Sequence, residues 1–235
     1  MKRVEFFGPM GSGKSTIYKE LINNSQNYIV DAKKEINRFI LSSYKNDSFL
    51  KYLIFFLLYT TPLQNRVFNN FNLIKYSNNS NNDILDFVYE NFSNTNIGTF
   101  KYIQRLNWFL KELVNSNIIK DIDTNRYAVV DESLLQKGVA FSFFKNDDYF
   151  LEKYLNLIDL PDVAIFVNTP LKVLIDRVEN RNVKEHTKEE IIQSFEISLK
   201  TFDYLKALGI NVIEINGTDN IKNNIDIINK KINNL

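Results

Sequence analysis

The stretch Gly8-Pro9-Met10-Gly11-Ser12-Gly13-Lys14-Ser15-Thr16 satisfies the phosphate-binding pattern G-x-x-x-x-G-K-[ST] at every fixed position. Its flanks agree with it. Val4-Glu5-Phe6-Phe7 reads as a short buried strand, and Ile17, Tyr18, Leu21 and Ile22 give the helical spacing that should follow. Glycines at 8, 11 and 13 open backbone conformations closed to residues with a side chain. Successive N–H groups can then converge on one anion at the positive end of the helix. In that arrangement Lys14 reaches the outer phosphates and the Ser15 hydroxyl takes one position on Mg²⁺.

The rest of the chain must supply a fold around this loop, and its composition allows one. The 235 residues are 44% apolar with 19 Phe, ample for one domain with a helical elaboration. A formal charge of +1 without a long single-sign run offers no nucleic-acid surface and no anionic-membrane surface. With no cysteine there are no disulfides and no thiolate metal sites. The first strand begins a few residues after Met1, which leaves no room for a signal peptide, so a cytoplasmic protein is expected. The most apolar run, Leu53 to Tyr59, is far short of the roughly 20 residues that cross a bilayer and reads as a buried helix. Nothing in the sequence opposes a homodimer, and nothing encodes one.

Tyr28-Ile29-Val30 is a second strand ending at Asp31. Asp31 either faces the crevice at the carboxyl edge of the sheet or caps the next helix. Residues 32–125 show no convincing strand and read as a helical insertion, broken at Pro62 and at the polar tract from Ser77 to Asn82, a surface loop. Asp47 or Ser48 is placed to cap a helix through Thr60, Asp83 one through Phe92, and Thr99 one that carries Ile103, Leu106, Leu110 and Leu113 inward. Arg66 and Arg105 are candidates to grip an anionic or hydroxyl-rich acceptor, with a solvated surface charge as the alternative for each. Tyr102 and Trp108 read as core.

Tyr127-Ala128-Val129-Val130 is the third strand, apolar throughout as buried parallel strands are, and it runs into Asp131-Glu132-Ser133. Asp131 is placed either to hold Mg²⁺ through water, to accept the proton of an attacking hydroxyl, or to cap the helix that starts near Leu134. Glu132 stands beside it. The fourth strand spans Asp162 to Val167. Thr169-Pro170 then reads as an N-cap followed by proline at the first helical position, opening a helix with the stripe Leu171, Leu174, Ile175 and Val178. Arg177 and Arg181, four apart, share its polar face. They either meet a developing charge or pair with Asp176 and Glu179. Thr187-Lys188-Glu189-Glu190 is a capping box for a long helix with Ile191, Phe195, Leu199 and Phe202 inward, closed by Gly209. His186, the sole histidine, reads as an exposed loop residue without a metal. Asn211 to Ile215 is the fifth strand, and Asn216-Gly217-Thr218-Asp219 turns into a last helix with Ile221, Ile225, Ile228 and Ile232 as its stripe.

Five strands alternating with helices, a phosphate loop after the first, an acid after the third and an arginine pair after the fourth resemble the P-loop nucleoside and nucleoside-monophosphate kinases. Thymidylate kinase and the deoxynucleoside kinases are the most similar, since they too carry most of their helical material between strands two and three. The resemblance implies a three-layer α/β fold with a five-stranded parallel sheet of order 2-3-1-4-5, an acceptor-binding insertion at 32–125 and a lid at 177–188 that contains Arg177 and Arg181. It implies ATP on Gly8, Gly11, Ser12, Gly13, Lys14, Ser15 and Thr16, with adenine near Gly217 and Thr218, and Asp131 as the acid after strand three. One departure stands out. Those kinases carry an arginine directly after that acid, where this chain has Glu132. The reversed charge disfavours a phosphate-bearing acceptor and favours a neutral hydroxyl, a sugar or a nucleoside. The expected activity is ATP- and Mg²⁺-dependent phosphoryl transfer to a small-molecule acceptor. Lys14 and Ser15 hold the donor, Asp131 or Asp31 orients the nucleophile, and Arg177 with Arg181 neutralises charge. The alternatives are a nucleotide-dependent ATPase or switch whose insertion binds a protein, and a kinase of glycan precursors.

Overall fold

The computed structural model describes residues 1–24, 27–47, 82–93, 99–145, 148–180 and 186–235. The Leu53–Tyr59 run, Pro62, Arg66, Arg181, the helix drawn through Thr60 and most of the asparagine tract lie outside these residues.

The strands β1 (Lys2–Phe7), β2 (Ile29–Asp31), β3 (Tyr127–Val130), β4 (Val163–Asn168) and β5 (Asn211–Asn216) form one sheet of order β2-β3-β1-β4-β5. Every pairing is parallel. The expected order is therefore the observed one, with β2 and β4 displaced by a single residue, β5 one residue longer and β1 starting two residues earlier than read. The central strands β1 and β4 are buried on both faces, as parallel strands covered by helices are; β4 is apolar up to its last residue, and β1 also buries Arg3 and Glu5.

The two faces divide by the period of two. Val4 and Phe6 point with Ile165 and Val167 into a core formed with α1 (Lys14–Asn23) and α9 (Ile221–Asn233), whose stripe Ile225, Ile228 and Ile232 is buried as its spacing predicts. Phe7 points the other way with Ala164 and Phe166, toward α3 (Asn82–Ser93), α4 (Thr99–Asp121), α5 (Leu134–Lys145), α6 (Asp148–Leu157) and α8 (Lys188–Ala207). A smaller core joins α2 (Ala32–Asp47) to α4 over Ala128, and another joins α7 (Leu171–Glu179) to α8. Between β2 and β3 the described residues contain helices and no strand.

Asp47 is the last residue of α2, and the helix it is read to cap lies outside the described residues. Three readings need correction. Asn82 lies inside α3 instead of in a loop. Pro170, not Thr169, is the N-cap of α7. Its carbonyl accepts from Val173 and Leu174 N–H, and no side chain caps the helix. On α4 the inward face is Phe109, Leu113, Val114 and Ile118, which leaves Ile103 58% and Trp108 52% exposed. The capping box holds: Thr187 Oγ1 accepts from Glu190 N–H, and Glu190 Oε2 accepts from Thr187 N–H at 2.9 Å. Gly209 closes α8 at φ +76°.

Candidate active site

The phosphate loop links β1 to α1 at the carboxyl edge of the sheet. Gly11 and Gly13 take φ values of 80° and 95°, and Gly13 is the left-handed N-cap of α1. Lys14 is buried; its ammonium donates to the carbonyls of Gly8 (2.8 Å) and Pro9 (2.9 Å), so the charge sits over the mouth of the loop. Side chains from three other elements brace the loop. Gln136 of α5 accepts from Gly8 N–H at 3.2 Å, Ser194 of α8 accepts from Met10 N–H at 3.2 Å, and Thr169 after β4 donates to the Ser12 carbonyl at 3.1 Å.

Arg177 projects from α7 onto the same loop. Its Nη1 donates to the carbonyls of Gly11 and Ser12, and its Nη2 to the Gly217 carbonyl at 3.0 Å. The guanidinium thus ties the phosphate loop to the turn after β5. Gly217 is packed flush against that loop: a Cβ there would lie 2.0 Å from Thr169 Oγ1 and 2.3 Å from the Ser12 carbonyl oxygen. Thr218 is held in the turn by the Asn216 side-chain oxygen, which accepts from its N–H at 2.9 Å and its hydroxyl at 2.8 Å.

Both acids expected at the sheet edge are there. Asp31 caps α2 through Lys33 N–H at 2.9 Å, as the capping reading has it, and also accepts from the hydroxyl of Tyr18. Burial and then the charges of Asp31 and Asp131 hold the Tyr18 phenol well above its ordinary range. Burial also raises the Asp131 carboxyl above its usual value, and Glu132 adds to that. A Ser15 hydrogen bond, Lys14 and Lys19 pull the other way. α5 takes no cap from Asp131. Its Leu135 N–H donates instead to Glu5, from β1.

Mg²⁺ fits these residues. Asp131 Oδ1 is buried without a hydrogen-bond partner among the described residues, next to the Ser15 hydroxyl and the Lys14 charge. A cation that keeps several waters and phosphate oxygens needs only one or two protein ligands. No group of three His, Cys, Asp or Glu residues suited to a metal occurs among the described residues.

Beside the loop opens a cavity of about 310 Å³, lined by Arg105, Trp108, Glu132, Lys137, Phe141 and His186. It brings Arg105 and Glu132 together, as their reading as acceptor residues requires. Burial lowers the Arg105 guanidinium from its ordinary value. Trp108 forms a wall of this cavity, with Lys137 Nζ 5.0 Å from its ring centre, instead of belonging to the core. His186 is exposed, as expected, but it also lines the cavity and lies 3.2 Å from Glu190.

No family model and no curated protein sequence matches the chain. Solved structures do match. Deoxyadenosine kinase from M. mycoides, with the products dCMP and a flexible dCDP bound, aligns at TM-score 0.53 and 14% identity over 99% of this chain and 98% of that one. The same kinase with dATP bound aligns at TM-score 0.50 and 15% identity, over 99% and 100%. The chain has the P-loop α/β fold of these kinases. At that identity the likeness concerns the fold, and the residues carry the rest of the argument.

Tyr18, Gln136, Thr169 and Ser194 are the contributors that sequence reasoning missed. By sequence Tyr18 reads as part of an apolar helical stripe and Thr169 as a cap. Gln136 and Ser194 carry no local signal, because each acts across more than a hundred residues.

Proposed function

We propose that this protein is an ATP- and Mg²⁺-dependent kinase that transfers the γ-phosphoryl group to a hydroxyl of a small neutral acceptor of the nucleoside class. The observation that carries the reading is the grouping of the phosphate loop, two carboxylates and an acceptor-sized cavity at one sheet edge. Lys14 and the loop amides would bind the donor phosphates, and Ser15 with Asp131 would hold Mg²⁺. Bound there, the ion would neutralise charge on the β- and γ-phosphates.

Asp31, fixed by Lys33 N–H and Tyr18, is the better placed of the two acids to orient the acceptor, because Asp131 lies beside Ser15. The acceptor oxygen attacks phosphorus, the bond to ADP breaks, and the hydroxyl proton passes to the carboxylate. Glu132 in the cavity disfavours an acceptor that already bears phosphate. Arg105 offers donors to hydroxyl groups there. Gly217 and Thr218 border the adenine position. Roles for Arg66 and Arg181 lie outside the described residues.

The test is ADP release from ATP and Mg²⁺ with a panel of deoxynucleosides, nucleosides, nucleoside monophosphates and sugars. Deoxynucleosides come first, because the structural neighbour was solved with deoxynucleotides. Stimulation by a neutral acceptor, reduced at least about hundredfold in Lys14→Ala, is expected. ATP hydrolysis that no acceptor stimulates would refute the kinase reading and favour a nucleotide switch.

A further inference from the structure

Glu5 is a carboxylate with no exposed surface in the middle of a central strand, and the reaction outlined above does not use it. Residues 3, 5 and 7 share one face of β1, so Glu5 points toward α5 and not toward α1. Its Oε1 is 2.9 Å from Nε of Arg3, which is itself 3% exposed. Arg3 Nη1 pairs with Asp159 Oδ2 at 2.9 Å, and Asp159 Oδ1 meets Lys120 at 2.7 Å. Glu5 Oε2 turns the other way: it accepts from Leu135 N–H at 2.9 Å, and the Ser133 hydroxyl bonds the same carboxylate.

Ser133 follows directly on Asp131 and Glu132, and Gln136, the residue after Leu135, holds Gly8 N–H at 3.2 Å. A ring therefore closes from β1 through Glu5 to the start of α5, and through Gln136 back to the first residue of the phosphate loop. Stability alone does not account for it. Well-packed apolar residues in place of a buried ion pair are commonly as stable or more so, and the neighbours Val4 and Phe6 show that this strand accepts them. We propose that Glu5 is a positioning residue that holds the Asp131–Glu132–Ser133 turn in register with the phosphate loop. This rests on the kinase reading, since the turn has a reaction to serve only if phosphoryl transfer occurs there.

Two variants separate positioning from packing. Arg3→Met with Glu5→Leu removes both the pair and the acceptor at position 5. Arg3→Met with Glu5→Gln removes the pair but keeps an oxygen for Leu135 N–H and Ser133. Three readings are taken on each: Tm, acceptor-dependent kcat and KM, and the emission of Trp108. Trp108 is the sole tryptophan, and it lies against Lys137 of α5, so its emission reports the seating of that helix without any substrate. For the leucine variant, kcat should fall tenfold or more with KM for ATP within about threefold, and Trp108 emission should shift. The glutamine variant should restore both. Equal kcat and equal emission in the two variants would overturn the proposal, as would losses that simply track Tm. If the leucine variant does not fold, Ser133→Ala decides: lowered kcat with shifted emission supports positioning, and wild-type values of both oppose it. Should no acceptor support turnover in the wild type, the kinase reading fails. Trp108 emission then still shows whether Glu5 seats α5.

Discussion

Gly217→Ala should damage the phosphate loop from the turn after β5. The added carbon would sit 2.0 Å from Thr169 Oγ1 and 2.3 Å from the Ser12 carbonyl oxygen, where an ordinary carbon–oxygen contact needs more than 3 Å. Thr169 is fully buried and Ser12 O belongs to the loop backbone, so neither is the free end of a flexible chain. Something must move by about 1 Å. The cheapest motion separates the turn after β5 from the loop, and it breaks one arm of the Arg177 clamp. Overpacking of this kind costs about 1–3 kcal/mol and each lost hydrogen bond about 1 kcal/mol, for a total of about 2–4 kcal/mol. If the loop yields only in the free protein, Tm falls by about 5–15 °C for a chain of this size. If the loop stays displaced, ATP affinity carries the loss, up to about a hundredfold for 3 kcal/mol. Calorimetric Tm with and without ATP, together with a binding titration, reads both shares. Adding Thr169→Ala to Gly217→Ala should recover part of the loss and give non-additive effects, because the two side chains compete for one space. Wild-type Tm and ATP affinity in Gly217→Ala would refute the packing argument.

Asp131→Asn should abolish turnover yet leave the protein as stable at pH 7, or more so. A carboxyl raised above its ordinary value of 3.8 destabilises the fold in its charged form: the penalty is absent below the unfolded value and grows as pH rises toward the folded one. The Tm advantage of the variant should therefore widen from pH 3.5 to pH 7, and an advantage that narrows over that range would contradict the sign. Gly138→Ala, in the middle of α5, should lower Tm by several degrees even though alanine favours helices. Its Cβ would lie 2.7 Å from the Tyr154 ring, which is buried and anchored by its hydroxyl to the Leu134 carbonyl at 2.9 Å. Overpacking of about 1–3 kcal/mol outweighs a propensity gain of at most about 1 kcal/mol. Thermal denaturation followed by circular dichroism checks it, and an unchanged Tm would show that the Tyr154 ring yields without cost.

What the sequence makes legible here is local. Buried parallel strands announce themselves as unbroken apolar runs, and an acid at the end of such a run has only the sheet edge to occupy, so Asp31 and Asp131 are readable from position alone. The glycine loop carries its own geometry. What stays hidden are side chains whose meaning depends on a distant partner. Thr169 looks like a cap because threonine before proline often is one, and only the nearness of Ser12 turns its hydroxyl elsewhere. Trp108 looks like core by spacing, but Phe109 and Leu113 occupy the inward face of α4 and leave it to the cavity. Glu5 reads as one residue of a strand. Arg3 is two positions away, but the Leu135 N–H that the other carboxylate oxygen accepts from is 130 positions away, so no window on the sequence contains the whole arrangement.

Arg177 makes contacts that its charge and its place on α7 do not by themselves suggest. From the sequence, its place on α7 suits a cation aimed at a phosphoryl group in flight. In the fold its donors meet the carbonyls of Gly11, Ser12 and Gly217. A guanidinium in that position cannot also reach a transferring phosphoryl without releasing those carbonyls, and hydrogen bonds from a charged donor are each worth about 1.5–3 kcal/mol. On the kinase reading, the charge that develops on the donor would then fall to Lys14 and the loop amides, and the arginine would act earlier, by keeping those groups aimed while nothing is bound. Phosphoryl transfer asks the protein chiefly for positioning, so a cation that fixes the loop contributes to the same barrier as one that touches the phosphate. On this argument Arg177→Lys should fail to substitute. A single ammonium cannot span two segments that the planar fork holds together, and the loss should register in ATP affinity as well as in kcat.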